Sequence, residues 1–193
     1  MAQKHTNKTR EALQQAQMRA SAAGNPEMRP AHVLEALLKQ EDGIAAPVLK
    51  ATGVDPDTVA KQAAQLIDGY PKAEGQNMAN PGINRDLQTA LQHAQDLASE
   101  LGDEFVSADV LLAAIAKGND DAAELLTKRG ATFDAIKEAF PTVRGGKTVT
   151  TENPEDQFQA LQKYSTDLTA RAREGKIDPV IGRDSDCLLY TSP

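Results

Sequence analysis

Apolar residues recur every three or four positions along much of this chain, which is the spacing of one face of an α-helix. The stretch with the clearest pattern consists of Leu87, Leu91, Ala94, Ala98 and Leu101. A similar stretch near the N-terminus consists of Ala12, Leu13, Ala16, Ala20 and Ala23. Residues that favour strands are sparse, and only 4% of the residues are aromatic. The pattern therefore predicts an all-α fold.

Helix-capping residues divide this pattern into separate helices. Pro30 stands in the first turn of one predicted helix, and Asp55 is a typical N-cap followed by a proline. Ser107 and Thr132 are N-caps of two later helices, and we expect Pro141 to end the last of them. Eight helices are predicted between residues 7 and 140.

The eight predicted helices form two copies of a four-helix unit. The segment ALQQAQ at 12–17 matches ALQHAQ at 90–95, so the second copy follows the first by 78 residues. Gly24 and Gly102 keep this offset, and an offset of 77 holds through the later helices. Shared alanine content alone would not keep the register through a loop. We therefore predict a pseudo-twofold globule, with a groove between its two units that would suit a segment of a partner protein.

The segment that follows the repeats differs from them in composition. Residues 142–153 read TVRGGKTVTTEN, with a glycine pair, four threonines and no large apolar residue other than valine. Such a sequence buries too little surface to offset the cost of ordering it, so we expect a flexible linker. A new helix is predicted from residue 154, because Asn153 suits an N-cap and Pro154 suits a first turn.

Charge and cysteine content exclude several classes of protein. The 193 residues include 21 basic and 28 acidic side chains, and the net charge of −7 argues against binding to nucleic acid or to an anionic membrane. No apolar run approaches the ~20 residues that span a bilayer, and the N-terminus lacks the pattern of a secretory signal. The single cysteine, Cys187, excludes a disulfide framework and a cysteine-based zinc site. We therefore expect a cytoplasmic protein.

No set of residues in the sequence is typical of a catalytic or metal site. His5, His32 and His93 have no partners at metal-ligand spacing, and we interpret them as solvent-facing residues. The segment from Arg144 to Lys147 lacks both the spacing of a phosphate-binding loop and a preceding strand. We expect no metal and no cofactor on this chain, and binding is the function that the sequence favours.

Three features together resemble one known family. They are the duplicated helical unit, the Arg-Gly-Gly run at 144–146, and the segment EDQFQALQKYSTDLTARAREGKIDPVIGRD at 155–184. Their combination resembles the start of the ClpB family, the AAA+ disaggregases among the Clp ATPases. The resemblance extends from about residue 5 to residue 184, and the part from Tyr164 to Asp184 is the most specific.

The resemblance implies an organisation into domains. Residues 1–141 would be the Clp N-terminal (Clp R) domain, which engages unfolded or aggregated polypeptide, and residues 142–153 would be a flexible linker. Residues 154–184 would begin the first ATPase domain. Through domains beyond this segment, the full-length parent would use ATP and Mg²⁺, form a homo-hexamer and work with a DnaK-type chaperone system.

The resemblance also implies particular site residues. For substrate binding they are Thr6, Asp103 and Asp109, the last standing where the family commonly has Glu. For contact with the adenine of ATP in the full-length parent they are Val180, Ile181 and Gly182. The residues themselves leave another interpretation open, because Asp103 lies in a predicted turn and Asp109 lies in the first turn of a helix, where acidic residues stabilise the helix.

Residues 185–193 match neither the family nor the composition upstream, and we expect an artefact such as a mis-joined reading frame. Because the family's Walker motifs are missing, we expect the segment itself to be non-catalytic. Three alternatives remain open. They are the N-terminal domain of a protease-coupled Clp ATPase that docks adaptor proteins, an ATPase whose active site lies outside this segment, and a free-standing Clp N-domain paralogue.

Overall fold

The computed structural model describes residues 4–73, 81–155 and 158, and within them the chain forms eight helices and two short strands. In chain order these elements are α1 Asn7–Ala23, β1 Glu27–Met28, α2 Pro30–Lys39, α3 Ala45–Ala51, α4 Pro56–Asp68, β2 Gly82–Ile83, α5 Arg85–Leu101, α6 Ala108–Ala116, α7 Asp121–Lys128 and α8 Phe133–Arg144. Each strand has two residues, and the all-α prediction is confirmed.

Capping residues begin and end several helices where the sequence predicts them. Asp55 and Thr132 each accept the backbone N–H three residues ahead, at the starts of α4 and α8. Ser107 occupies the N-cap position of α6, but its hydroxyl makes no capping hydrogen bond. Gly24 and Gly102 end α1 and α5 with φ angles of 72° and 74°, a left-handed conformation that glycine adopts without strain.

Helix α8 ends later than the sequence predicts. Pro141 lies inside the helix, which continues to Arg144. A proline removes one backbone hydrogen bond from a helix interior, but the next turn is held in place by Val143 and Arg144, which are both buried. The helix ends instead at Gly145, which has a φ of 61° and donates its N–H to the carbonyl of Pro141. The prediction that Pro141 ends this helix is therefore wrong.

The two four-helix units have the predicted offsets, and they interlock. Helix α5 begins and ends 78 residues after α1, and α8 begins 77 residues after α4. Helix α3 of the first unit packs on α8 of the second, and α4 packs on α7. Short strand pairings also join the two units. β1 pairs in parallel with β2 at the entry to the second unit, and His5 pairs with Val106. The predicted duplication is confirmed.

The core is centred on α2 and α6, which pack on each other. Every residue of α6 is buried, and so is every residue of α2 except Lys39. Helix α6 therefore carries Asp109 into an apolar region, where an ionised carboxylate requires a cation or several hydrogen-bond donors.

His32 is also part of this core, so its interpretation as a solvent-facing residue is wrong. The side chain is 0% exposed, and its Nδ1 accepts the backbone N–H of Arg29 at 3.0 Å. The other ring nitrogen lies 3.1 Å from Oδ1 of Asn25. Burial lowers the pKa of His32, which favours the neutral ring.

The chain after α8 lies along the domain, which differs from the flexible linker expected over 142–153. We call residues 147–155 the strap. Within it, Val149 is 0% exposed and Glu155 is 3% exposed. The carbonyl of Glu152 accepts the N–H of Asn7 at 2.8 Å. Main-chain groups supply most of these contacts, which is why the composition of the segment does not reveal them.

Candidate functional site

The three residues implied for substrate binding lie together at one corner of the domain. The backbone N–H of Thr6 donates to the carbonyl of Val106 at 3.1 Å, which brings the start of α1 beside the loop between α5 and α6. Asp103 lies in that loop, directly after Gly102, and Asp109 lies in the first turn of α6. We call Thr6, Asp103, Asp109 and Arg144 the acidic corner.

Arg144 at the end of α8 holds the two carboxylates of the acidic corner. Its Nε and Nη2 donate to the two oxygens of Asp109 at 2.5 and 3.0 Å, and its Nη1 donates to Oδ2 of Asp103 at 2.8 Å. Ser107 completes the network, because its hydroxyl accepts from Nη2 at 3.0 Å and donates to Asp109 at 2.5 Å. The guanidinium also lies 4.8 Å from the ring centroid of Phe140.

This ion network is almost completely shielded from solvent. The side chain of Arg144 is 5% exposed, and those of Asp103 and Asp109 are 0% exposed. Burial acts to lower the pKa of Arg144, but the charges and hydrogen bonds of Asp109 and Asp103 outweigh it and raise that pKa above its usual value. The guanidinium therefore remains charged, and its hydrogen bonds fix the position of both carboxylates.

The carboxylate of Asp103 binds both Arg144 and the strap. One oxygen accepts from Arg144, and the other accepts the backbone N–H of Val149 at 2.7 Å. The carbonyl of Val149 in turn accepts the N–H of Glu104 at 2.9 Å. Asp103 thus binds the main chain of an extended segment, which is a form of recognition that does not depend on the segment's side chains.

Thr6 caps helix α1 and contacts the far end of the strap. Its hydroxyl oxygen accepts the N–H of Thr9 at 3.3 Å, and the hydroxyl lies 3.5 Å from Oε1 of Glu155, to which it donates. Burial, together with the charge of Asp109, raises the pKa of Glu155 to about 7, although Lys8 and the Thr6 hydroxyl act in the opposite direction. The second carboxylate oxygen of Glu155 is buried without a hydrogen-bond partner.

The resemblance implies a surface cluster, and the structure differs from that expectation. Thr6, Asp103 and Asp109 are brought together, but their side chains are buried beneath the strap and Arg144. Both carboxylate oxygens of Asp109 accept hydrogen bonds from Arg144, and one of them also accepts from Ser107. Asp109 therefore holds the guanidinium of Arg144 in position. Sequence reasoning missed the roles of Arg144 and Glu155.

Open grooves lie on the surface of the domain: one of about 440 Å³ lies beside the start of α4, and two smaller ones lie elsewhere. One, of about 230 Å³, borders the acidic corner and is lined by Leu101, Lys137, Phe140, Pro141, Arg144, Gly146, Lys147 and Thr148. The other, of about 340 Å³, lies between α4 and α7, where the two repeats meet. The groove of about 230 Å³ brings the apolar side chains of Leu101 and Phe140 near Arg144, which pairs with Asp103.

The remaining sequence predictions concern metal, membrane and nucleotide sites. Among residues 4–73, 81–155 and 158, no three His, Cys, Asp or Glu side chains are grouped as metal ligands. No helix in the described part of the chain has the length and apolar character needed to cross a membrane. The residues implied for adenine contact, Val180, Ile181 and Gly182, lie outside the described residues, as does Cys187.

Relatives in sequence are chaperones. Chaperone protein ClpB of Corynebacterium diphtheriae is 70% identical over 181 residues, which cover 94% of this chain and 21% of that protein. Chaperone protein ClpB of Mycobacterium tuberculosis is 54% identical over the same shares of the two chains. The chain therefore spans about a fifth of the length of these curated relatives.

Solved structures share the fold. The N-terminal domain of Hsp104 from Candida albicans superposes with a TM-score of 0.67 at 17% identity, covering 79% of this chain and 99% of that chain. The N-terminal domain of the ClpV1 ATPase from E. coli gives a TM-score of 0.62 at 20% identity, covering 77% and 89%. The sequence profile of the Clp repeat (R) N-terminal domain matches residues 4–129, which is more than half of the chain. The chain therefore belongs to the family of Clp repeat (R) N-terminal domains.

Proposed function

We propose that this domain is the substrate-engaging module of a ClpB-type ATP-dependent chaperone and that it binds unfolded or aggregated polypeptide for disaggregation. One observation carries the proposal. Asp103 accepts the backbone N–H of an extended segment at 2.7 Å, which is a contact that any unfolded chain offers. The identity of 70% to a ClpB chaperone over 94% of the chain supports the same function.

Each residue of the acidic corner has a distinct role in this proposal. Asp103 accepts backbone N–H groups of the substrate, and Thr6 offers a hydroxyl at the start of α1. Asp109 acts through Arg144, because it anchors the guanidinium that orients Asp103. The groove beside the corner, lined in part by Leu101 and Phe140, receives an apolar side chain of the bound segment.

The proposal extends to the organisation of the longer protein. Residues 1–141 form the substrate-engaging domain, 142–153 connect it to the ring, and 154–184 begin the first ATPase domain, while 185–193 remain outside the family pattern. The segment itself is non-catalytic. The full-length parent hydrolyses ATP with Mg²⁺, contacts adenine through the family's Val-Ile-Gly, and cooperates with a DnaK-type system in the cytoplasm. Six copies in a hexamer would raise the avidity of a weak single site.

Binding to an unfolded protein tests this function. Reduced, carboxymethylated lactalbumin carrying fluorescein serves as the probe, and its anisotropy is measured as the full 193-residue chain is added. We expect weak, saturable binding to this probe and none to native lactalbumin. Asp103→Ala should weaken the binding by about tenfold or more, since a hydrogen bond to a charged group contributes about 1.5–3 kcal/mol and about 1.4 kcal/mol is a factor of ten.

Asn25→Ala is the matched control, because Asn25 occupies the position of Asp103 in the first repeat. Asn25 is likewise buried, and its amide donates to the carbonyl of Pro71 at 3.1 Å. Both substitutions remove a buried contact to a following segment, but only Asp103 belongs to the acidic corner. An equal loss of binding in the two variants would reject Asp103 as a substrate contact.

A further inference from the structure

The strap covers the acidic corner with contacts that resemble those of a bound peptide. Three of its hydrogen bonds use its own main chain, through the N–H of Val149, the carbonyl of Val149 and the carbonyl of Glu152. The partners on the domain are the carboxylate of Asp103 and the N–H groups of Glu104 and Asn7. An unrelated extended segment would offer the same main-chain groups at the same spacing.

The N–H of Asn7 is a hydrogen-bond donor that the carbonyl of any peptide could use. Asn7 is the first residue of α1, where backbone N–H groups have no partner within the helix. Glu152 satisfies this donor in the structure, and its side chain also pairs with Arg10 at 2.9 Å between two exposed groups. The exposed ion pair adds little to the attachment, so the main-chain bonds and the buried residues Val149, Pro154 and Glu155 hold the strap.

We propose that the strap occupies, in cis, the surface on which the domain binds extended polypeptide, and that a substrate binds there by displacing it. This inference rests on the proposed function. The fit is that of an extended main chain with a small apolar side chain at the position of Val149, which is 0% exposed.

The composition of the strap suits a cover that opens. Only three of the nine residues of the strap are buried, namely Val149, Pro154 and Glu155, and the carboxylate of Glu155 leaves one oxygen without a partner. A tethered segment competes at an effective concentration of about millimolar, even when its own affinity is low. Only molecules in which the strap is released can bind substrate at this surface. The apparent affinity is therefore the intrinsic affinity multiplied by the released fraction.

Two substitutions should release the strap without altering Asp103. Val149→Pro removes the strap N–H that Asp103 accepts, because proline has no backbone N–H, and it leaves every group of the domain unchanged. Val149→Asp places a charge at a fully buried position. Thr150→Asp is the matched control, since it adds the same charge at the exposed neighbouring residue.

Release is measured by amide hydrogen exchange at Glu104, whose N–H donates to the strap. Binding is measured with the same fluorescein-labelled, reduced and carboxymethylated lactalbumin. We expect faster exchange and tighter binding in Val149→Pro and Val149→Asp, by about tenfold if the strap covers the corner in nine-tenths of the molecules. Thr150→Asp should match the unmodified chain in both measurements. If Val149→Asp does not fold, Val149→Pro still provides the test.

The outcomes separate this inference from the proposed function. If the unmodified chain binds the probe and the released variants bind it no better, the inference is overturned and the proposed function still stands. Unchanged exchange at Glu104 in both variants would overturn it as well, because the cover would not open. Absence of binding in every variant would reject the proposed function itself, and the inference with it.

A peptide supplied in trans tests whether strap and substrate share one surface. The peptide GKTVTTENPE, residues 146–155, is added to the Val149→Asp protein in complex with the labelled lactalbumin. We expect it to displace the probe, whereas the same peptide carrying Val149→Asp should not. If the unmodified peptide does not displace the probe, the proposal that strap and substrate bind the same surface is wrong.

Discussion

Arg144 is the residue on which the acidic corner depends. Its guanidinium pairs with Asp103 and Asp109, and all three side chains are at most 5% exposed. Arg144→Met would keep much of the side-chain volume but leave two buried carboxylates without their cation. We expect a loss of about 3–5 kcal/mol in the free energy of unfolding, measured by urea denaturation.

Arg129→Met is the control for this loss. Arg129 is an exposed arginine at the end of α7, so the same substitution there should change the free energy of unfolding by less than about 0.5 kcal/mol. A small effect of Arg144→Met, similar to that of Arg129→Met, would show that the corner does not depend on the ion network.

At the scale of residues, the sequence predicts which residues form the acidic corner, but it does not predict that they are buried. The family resemblance selects Thr6, Asp103 and Asp109, which the fold does bring together. Their burial depends on Arg144, which sequence reasoning assigns to the linker. A usable signal existed, because Arg144 continues the helical stripe of Ile136, Phe140 and Val143, and a charge on an apolar stripe predicts a buried ion pair.

At the scale of elements, the attachment of the strap should depend on pH. Burial raises the pKa of Glu155 from 4.5 to about 7 while the strap is docked, so the docked state binds the proton more tightly than the released state. Docking is therefore most favourable below about pH 4.5 and weakens as the pH rises towards 7. The equilibrium constant for release should rise by at most about tenfold per pH unit, the limit for one proton.

The methyl NMR signals of Val149 report this equilibrium, because that side chain is buried only while the strap is docked. Glu155→Gln provides the control, since its amide stays neutral across the range. We expect the pH dependence of the Val149 signals to flatten in this variant. Besides burial, the groups that act on the pKa of Glu155 are its own backbone, Asp109, Lys8 and Thr6, and an equal pH dependence in Glu155→Gln would show that Glu155 does not cause the effect.

Helix boundaries and the linker show where sequence patterns are insufficient at this scale. Pro141 is a strong local signal for a helix end, but the burial of Val143 and Arg144 extends α8 past it. The segment after it lacks apolar residues and therefore predicts flexibility. Its contacts come from main-chain groups, from Val149 and from the polar side chains of Glu152 and Glu155, and composition does not show that any of these will meet a partner.

At the scale of the whole molecule, the duplication is visible in the sequence but the interlocking is not. Matching residues at offsets of 78 and 77 predict that each repeat has the same four helices. They carry no information about which repeat a given helix contacts. The structure packs α3 on α8 and α4 on α7, so each repeat completes the core of the other.

Because helices of each repeat pack on helices of the other, we predict that neither repeat folds alone. In the intact chain Leu49 of α3 and Leu126 of α7 are 0% exposed, and separating the repeats would remove packing partners from both helices. Fully burying a leucine contributes about 1.5–3 kcal/mol, and a domain has a net stability of only about 5–15 kcal/mol. We therefore expect fragments 1–80 and 81–158 to be largely unfolded when separate.

Circular dichroism of the two fragments, alone and mixed, measures this dependence, with the undivided 1–158 segment as the reference. Mixing should restore most of the helical signal of the reference and a cooperative thermal transition whose midpoint rises with concentration, because association replaces the lost connection. A cooperative transition of fragment 1–80 by itself would contradict the prediction. It would mean that α1 to α4 bury enough apolar surface without α7 and α8, and that packing between the repeats is not required for folding.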